Sequence, residues 1–407
     1  MTVFATRSVR VPEGLLAPPT RDRLQSAAND ADARILAHAA RTRAVDLYLT
    51  NSSGRTRPNR RWKIDLDALA FDPRPPGGAK HEVTFSGSLG RAIALPLATA
   101  AREHAETLAH VTRRIDLERT KFGALALGLS SFGALVHVPA DYDVAEPIVI
   151  TYNIDAIPAF PRTLVLLEPG ARATVIVEFS NPAGAFVVGT SELIVEERAH
   201  LHYATVQRVD SGSVAIECAL SHVGRDASVV LASADFGEGL IVRDRETSLD
   251  AAGARLEQSA IFLPTGNGHL DVAATVRHVA GNTTSQTVVK AAAGDESIAR
   301  FLGNIVILPH AAGSDASLRD DALILGPKAH VDSIPALEIA CNDVKAYHGA
   351  TIGAIDDEQI FYLRSRGLDE SEARRTIALG FFEPVVDAFP TAALRNMLTQ
   401  RIVETLR

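Results

Sequence analysis

Sulfur is scarce in this chain: Cys218 and Cys341 are its only cysteines. No disulfide framework can therefore hold the fold, and a reducing compartment, the cytoplasm, is the expected setting. Neither cysteine belongs to a C-x-x-C unit. Positive charge is not in excess either. Lys and Arg number 41 against 49 Asp and Glu, for a formal net charge of -8, which excludes a protein whose main partner is nucleic acid. The short arginine clusters near Arg113 and Arg364 do not reverse that balance. No run of 18 apolar residues is present to span a bilayer. The nearest approach, FGALALGLSSFGALVHV from Phe122 to Val138, is interrupted by Gly, Ser and His and reads as a buried element at a domain junction. The N-terminal MTVFATRSVRVPEG lacks the apolar centre of a signal peptide. Missing, too, are a G-x-S-x-G elbow, a Walker A loop and an H-E-x-x-H pair, and Gly237-x-Gly239 is too short to mark a dinucleotide site.

What the chain does have is length and apolar content. Its 407 residues, 46% of them hydrophobic, can bury a substantial core spread over two or three regions. The first 120 residues read as largely helical. Apolar positions recur every three to four residues from Arg21 to Leu49, as in an amphipathic helix, and the turn Asn51-Ser52-Ser53-Gly54 follows. The alternation from Trp62 to Leu66 reads as a strand, ended by the breaker cluster from Phe71 to Gly78. From Leu97 to Glu118 the chain reads as helix again, with His104 and His110 on solvated or partly buried faces.

From about Ser131 to Gly349 the pattern becomes short Val, Ile, Leu and Thr runs separated by Gly, Pro, Asp and Asn, which is the mark of many short strands. Gly-Ala and Gly-Ser pairs at Gly170-Ala171, Gly212-Ser213 and Gly253-Ala254 suit tight corners. Their spacing is not a strict repeat, so the residues alone leave a parallel β-helix and a sandwich or barrel both open. After a sharp turn expected at His348-Gly349-Ala350, Asp356 to Gln359 place carboxylates at a helix start, and Ile360, Phe361 and Leu363 are expected to pack inward. Gly367 breaks this helix, a second runs from Asp369 to Leu379 with Gly380 as its stop, and a third from Ala392 to Leu406. The tail reads equally as a docking surface or as a cap on the end of a β stack.

Chemistry is sparse. Cys341 and His348 are seven residues apart, which on an uninterrupted strand puts them on opposite faces, so they are weak as a joint metal site. Imidazole is a competent iron ligand, yet two thiols cannot complete a four-thiolate cluster, and any cluster would need ligands from a partner. His348 at a turn could equally serve as a hydrogen-bonding structural group, and Cys341 and Cys218 read as small buried hydrophobes. His278, beside Asn282-Thr283-Thr284-Ser285, fits either a site or a hydrogen-bonded turn. His310 and His330 carry no independent signal.

Three blocks are more specific than any of these pairs: VRHVAGNTTSQTVVK from Val276, PALEIACNDVKAYHGATIGAIDDEQIFYLRSRG from Pro335 to Gly367, and SEARRTIALGFFEPVV after it. Through them the chain resembles the SufB/SufD family of iron–sulfur cluster assembly proteins, SufD in particular, continuously from roughly Phe122 onward. The resemblance implies a mainly β fold: a right-handed parallel β-helix core (126–352) between an N-terminal largely helical region (1–125) and a C-terminal helical region (353–407). It further implies a non-ATPase scaffold that pairs with a SufB-like paralogue and docks a SufC-like ABC ATPase. A transient iron–sulfur cluster would be shared in that complex, with no cofactor held tightly by the isolated chain. His348 matches the family histidine implicated in cluster assembly, as a possible iron ligand shared with the partner. Arg364 and Arg366, in the FYLRSRG block, are expected to support or dock the ATPase. Two departures stand out. Ala329 occupies the place of the SufB-type cysteine, which favours SufD, and Ala346 stands where many SufD proteins carry a cysteine. A homodimeric protein and a self-contained iron-binding β-helix protein are the alternatives.

Overall fold

The computed structural model describes residues 19–405, apart from 52–65, 67–68, 70, 74–80, 115, 155–157 and 181–183. Among the described residues, helices open and close the chain and strands fill everything between Phe132 and Ala354. The expected strand at Trp62 to Leu66 lies outside the described residues except for Leu66, as do residues 52–54 of the expected turn and 74–78 of the breaker cluster.

Two nine-stranded sheets form the core. The first runs, in spatial order, β1 (Glu82–Ser86), β4 (Ile148–Asn153), β6 (Arg172–Ser180), β8 (His200–Val209), β10 (Ser228–Gly237), β12 (Arg255–Pro264), β14 (Thr284–Ala293), β16 (Ser314–Ile324) and β18 (Val344–Ala354). The second runs β2 (Ile93–Pro96), β3 (Phe132–Val138), β5 (Pro161–Leu167), β7 (Phe186–Val195), β9 (Val214–Val223), β11 (Leu240–Leu249), β13 (His269–His278), β15 (Ile298–Ile307) and β17 (His330–Ile339). From β3 onward each coil of the chain gives one strand to each sheet, and every pairing between successive coils is parallel. The fold is therefore a flattened parallel β-solenoid, as the family resemblance implies. Composition could not separate this from a sandwich because two facing sheets bury the same alternating residues in either case. The rung length also drifts, from 26 residues (Val214 to Leu240) to 32 (Ile298 to His330), which hides the repeat.

The corners follow the chemistry of left-handed backbone. Gly170, Gly212 and Gly253 have φ of 73°, 75° and 78°, and a Cβ built on Gly253 would sit 1.9 Å from Asp226 Oδ1 in the corner one rung away. Asp141, Asp226 and Asn282 take the same conformation without glycine, since short polar side chains tolerate it.

Several helical expectations change in detail. Arg21 to Leu49 is two helices, α1 (Arg21–Asp30) and α2 (His38–Thr50). Between them Asp32 draws in the Arg34 backbone N–H and guanidinium, and buried Arg41 donates to the carbonyls of Asp32, Leu36, Gly128 and Ser130. Leu97 to Glu118 likewise breaks at His104, into α3 (Leu97–Glu103) and α4 (Ala105–Arg114). The stretch Phe122 to Val138 divides into α5 (Lys121–Leu129), buried from Phe122 to Leu129, and β3. Helix α5 joins the N-terminal helices and the strands in one hydrophobic cluster with Phe186, Val188 and Ile216.

At the other end, α6 (Asp357–Ser365) begins on the Asp356 cap, and α7 (Glu370–Val386) on a reciprocal Asp369–Glu372 capping box. Gly367, at φ 102°, separates them. Gly380 does not stop α7. Glycine inside a helix costs only about 1 kcal/mol, whereas continuing the helix carries Phe382, Val385 and Val386 into a core with Ile261, Leu263 and Ala292 on the outer face of the first sheet. Helix α8 (Ala392–Thr405) adds Leu394, Leu398 and Ile402 to that core. The tail therefore covers the flank of the solenoid rather than its end.

Candidate functional site: the open rung

The last coil has neighbours on one side only, with β17 and β18 closing the two sheet orders. Strand ends of this kind present a row of unpaired backbone N–H and C=O groups. The expected turn at His348 is absent. Residues 344–354 form one continuous strand in register with β16 from Ser314 to Ile324, because each of its residues finds a parallel ladder partner.

That register defines where His348 points. It continues a ladder of interior positions, Tyr203, Leu231, Gln258, Thr287 and Leu318, each the Cα partner of the next. Leu318 is buried between the sheets, and His348, one rung further with the same orientation, is exposed. The imidazole thus sits at the mouth of the solenoid. Ala346, two residues earlier and on the same face, packs with Val344 and Leu337 against the core below. A thiol at that position would face the mouth. Cys341 lies in the corner before β18, half-buried against the same cluster, and four strand residues from Val344 to His348 span about 13 Å. The two do not form one site. Ala329 is half-buried against that cluster also.

Around the mouth the surface is unusually apolar. Ile339, Tyr347, Ile352, Phe361 and Tyr362 are the exposed large hydrophobic residues among those described, with Phe361 75% and Tyr347 61% exposed. All five fall between residues 339 and 362, on the open rung and on α6. Ile360 packs inward and Leu363 partly so, but Phe361 does the opposite of what its type predicts. Beside it, Arg364 Nη1 lies 3.6 Å from Glu370 Oε2, and Arg366 donates to the Tyr362 hydroxyl at 3.3 Å with its guanidinium 5.3 Å from that ring's centre. Exposed contacts of this kind contribute at most about 1 kcal/mol, so both arginines are available to a partner.

His278 is a structural residue. It is fully buried between the hydroxyls of Thr283 and Ser285, each 2.8 Å from a ring nitrogen, and burial pushes its pKa down to about 4 against the attraction of Asp315. Cys218 is a small buried residue whose sulfur receives the Thr120 hydroxyl at 3.6 Å. His310 is exposed in a corner, and His330 lies 3.1 Å from Asp332.

The sequence reading missed the polar interior. Arg243, 1% exposed, donates through Nε to both oxygens of Asp235 at 2.8 and 3.0 Å and through Nη2 to Gln207 at 2.9 Å, and it also contacts Glu217. Glu217 further accepts from Arg245 at 2.9 Å and from Ser191 at 2.8 Å. Burial pushes Glu217 upward, but Arg243 and Arg245 outweigh it and hold the carboxyl at about 2. Two cavities of about 20 Å³ flank this group, each with room for roughly one water. Nearer the mouth, Asp320 is 1% exposed and its Oδ1 has no hydrogen-bond partner. Burial raises its pKa to about 7, partly countered by Ser333. Every one of these charged residues occupies an inward position of a strand, and strand alternation combined with the coil-to-coil register is the signal that would have found them.

Among the described residues, no group of three or more His, Cys, Asp and Glu could hold a metal ion, and no helix is long and apolar enough to cross a membrane. Residues 150–381 match the family model "SUF system FeS cluster assembly, SufBD core domain". The iron-sulfur cluster assembly protein SufD of Escherichia coli K12 is 32% identical over 250 residues, which cover 59% of this chain and 57% of that protein. The corresponding SufB of Bacillus subtilis is 27% identical over 289 residues, 69% of this chain and 62% of that protein. SufD of the same species is 26% identical over 313 residues, 75% of this chain and 71% of that protein. The aligned stretches thus span less than two thirds of the first two relatives. With a family model matched over more than half its length and the parallel solenoid that carries it in place, the chain belongs to the SufBD core family of the SUF iron–sulfur cluster assembly system.

Proposed function

We propose that this chain is a SufD-like, non-ATPase scaffold subunit of an iron–sulfur cluster assembly complex. Its open rung pairs with a SufB-like paralogue, and its C-terminal helical region docks a SufC-like ABC ATPase. The observation that carries this reading is the confinement, among the described residues, of the exposed large apolar side chains to residues 339–362, on the unpaired strands and the adjoining helix. One surface is a strand edge that another solenoid end can extend by backbone pairing. The other is a helix that presents Phe361, Tyr362, Arg364 and Arg366 outward. Alanine at position 329 removes the thiol that a SufB-type subunit would supply, so the sulfur ligands of a nascent cluster come from the paralogue. His348, at the mouth, contributes an imidazole to the shared cluster, a nitrogen donor suited to iron.

Anaerobic co-purification of the full chain with SufB-like and SufC-like partners, followed by mass determination and by iron and sulfide analysis with and without ATP, tests the assignment. A stable heteromeric complex is the expected result. No association under reducing conditions, with the chain recovered as a two-fold dimer through the same rung, would overturn it in favour of a homodimeric protein.

A further inference from the structure

The mouth holds a second ligand-type group besides His348. Asp320 lies on the interior face of the first sheet, one rung behind the open strand and in register with Ala350. His348 is two residues before Ala350 on that strand, so the imidazole and the carboxylate are diagonal neighbours on one face. A strand spacing near 4.8 Å and a two-residue rise near 6.6 Å put their Cα atoms about 8 Å apart, a separation that an imidazole and a carboxylate reaching toward one ion can close. The terminal rung is the last layer over the carboxylate. Its register partner contributes only the methyl of Ala350, and Ser333 faces it from the opposite sheet.

The environment of Asp320 does not account for a carboxylate there. The neighbouring charges are committed elsewhere: Lys290 Nζ and Arg319 Nε both bind Asp321, at 2.7 and 2.8 Å, on the other face of the strand. Oδ1 of Asp320 has no partner although the residue is 99% buried, and a buried acceptor left unmatched costs stability. Valine would avoid that cost, and an incoming cation would remove it. Along the ladder the same interior position is occupied by Thr205, Ser233, Ala260 and Val289, so a charge first enters it one rung short of the mouth.

We propose that Asp320 and His348 form a two-residue binding site for a divalent transition-metal cation at the mouth of the solenoid, with water completing the coordination. One nitrogen and one carboxylate oxygen suit Fe(II) and the Co(II) that reports on such sites. The site shares His348 with the scaffold reading but does not rest on it, because both ligands belong to this chain and no partner is needed.

The test uses the full chain under anaerobic conditions, titrated with Co(II) and followed by its visible absorption and by calorimetry, then competed with Fe(II). Wild type is expected to bind one ion. Asp320→Asn and His348→Ala are each expected to weaken binding by about tenfold or more, and the double variant by little beyond either single change. Ala350→Val, which covers Asp320 and leaves both ligand side chains in place, reproduces the loss and serves if Asp320→Asn does not fold. Failure of wild type to bind Co(II) at about 1 mM, or unchanged affinity in Asp320→Asn or Ala350→Val, overturns the site. Partner association of the same variants is measured in parallel. In wild type, Co(II) binding without a partner complex argues against the scaffold reading alone, and a partner complex without Co(II) binding argues against the site alone.

Discussion

Leu318 and His348 are Cα partners on adjacent strands and point the same way, yet the first is 1% exposed and the second is open to solvent. The difference is position along the solenoid. His348 is what an interior residue becomes when the coil ends.

Replacing His348 by alanine should therefore leave the fold intact. An exposed side chain at the mouth contributes within about 0.5 kcal/mol to stability, so thermal unfolding of His348→Ala should match wild type. Iron and sulfide recovered per assembled complex should fall by an order of magnitude or more. Wild-type loading in a complex that still forms would show that the imidazole is a bystander.

On α6, Phe361→Ala together with Tyr362→Ala removes two exposed aromatic rings, at the cost of one exposed contact between Tyr362 and Arg366. Their loss should cost the docked ATPase subunit at least about tenfold in affinity, since aromatic anchors dominate interfaces of this kind. Calorimetric titration of the ATPase subunit into the chain reads this directly, and the melting temperature of the free chain should stay where it is.

Arg243 is the opposite case. Arg243→Leu strands Asp235 in the interior and leaves Glu217 to Arg245 and Ser191, and breaking a buried pair by deleting one member destabilises by about 3–5 kcal/mol. Urea unfolding should show a lower midpoint with an unchanged slope. A loss under about 1 kcal/mol would mean that water entering the flanking cavities solvates the remaining carboxylates.

Stability should also carry a pH signature with two opposing parts. Asp320 has a folded pKa of about 7, raised chiefly by burial, above the roughly 3.9 of an unfolded aspartate. The folded state thus binds the proton more tightly, and the stability associated with it is full below about pH 4 and declines as pH rises toward 7. For His278 the folded value of about 4 lies below the unfolded value near 6.5. Its contribution is full above about pH 6.5 and is lost as pH falls toward 4. Asp320→Asn removes the first component alone. It should raise stability at pH 8 by a few kcal/mol relative to its effect at pH 4, which urea midpoints at the two pH values would reveal. An equal effect at both would show that Asp320 is ionised with no penalty in the fold.

The strand-rich core and the capped C-terminal helices were legible because they are local. Alternation, corner glycines and the Asp369–Glu372 box each act within a few residues. The parallel coil was not legible from composition, because strands that pair across 26 to 32 residues leave no local trace; the blocks around His278 and His348 supplied it through family resemblance. The site was legible in part. His348 stood out, but the reading placed it on a turn, since His-Gly-Ala after an alternating run mimics a strand end. Its ladder partner Leu318, thirty residues earlier, decides otherwise. The polar interior stayed hidden for a related reason. Arg243 and Arg245 in the run IVRDRETS carry no local mark of burial, and the register alone turns them inward to Glu217.

The two ends of the solenoid are finished differently. At one end β1 and β2, of five and four residues, join antiparallel to β4 and β3; at the other, strands of ten and eleven residues stop with an edge each unfilled. An object with one adhesive end and one short, reversed end cannot grow indefinitely by stacking in the same direction. Two such ends meeting head to head use up each other's unpaired edges and turn the finished ends outward, so that assembly halts at two solenoids, where a body with two open ends would polymerise into a fibre.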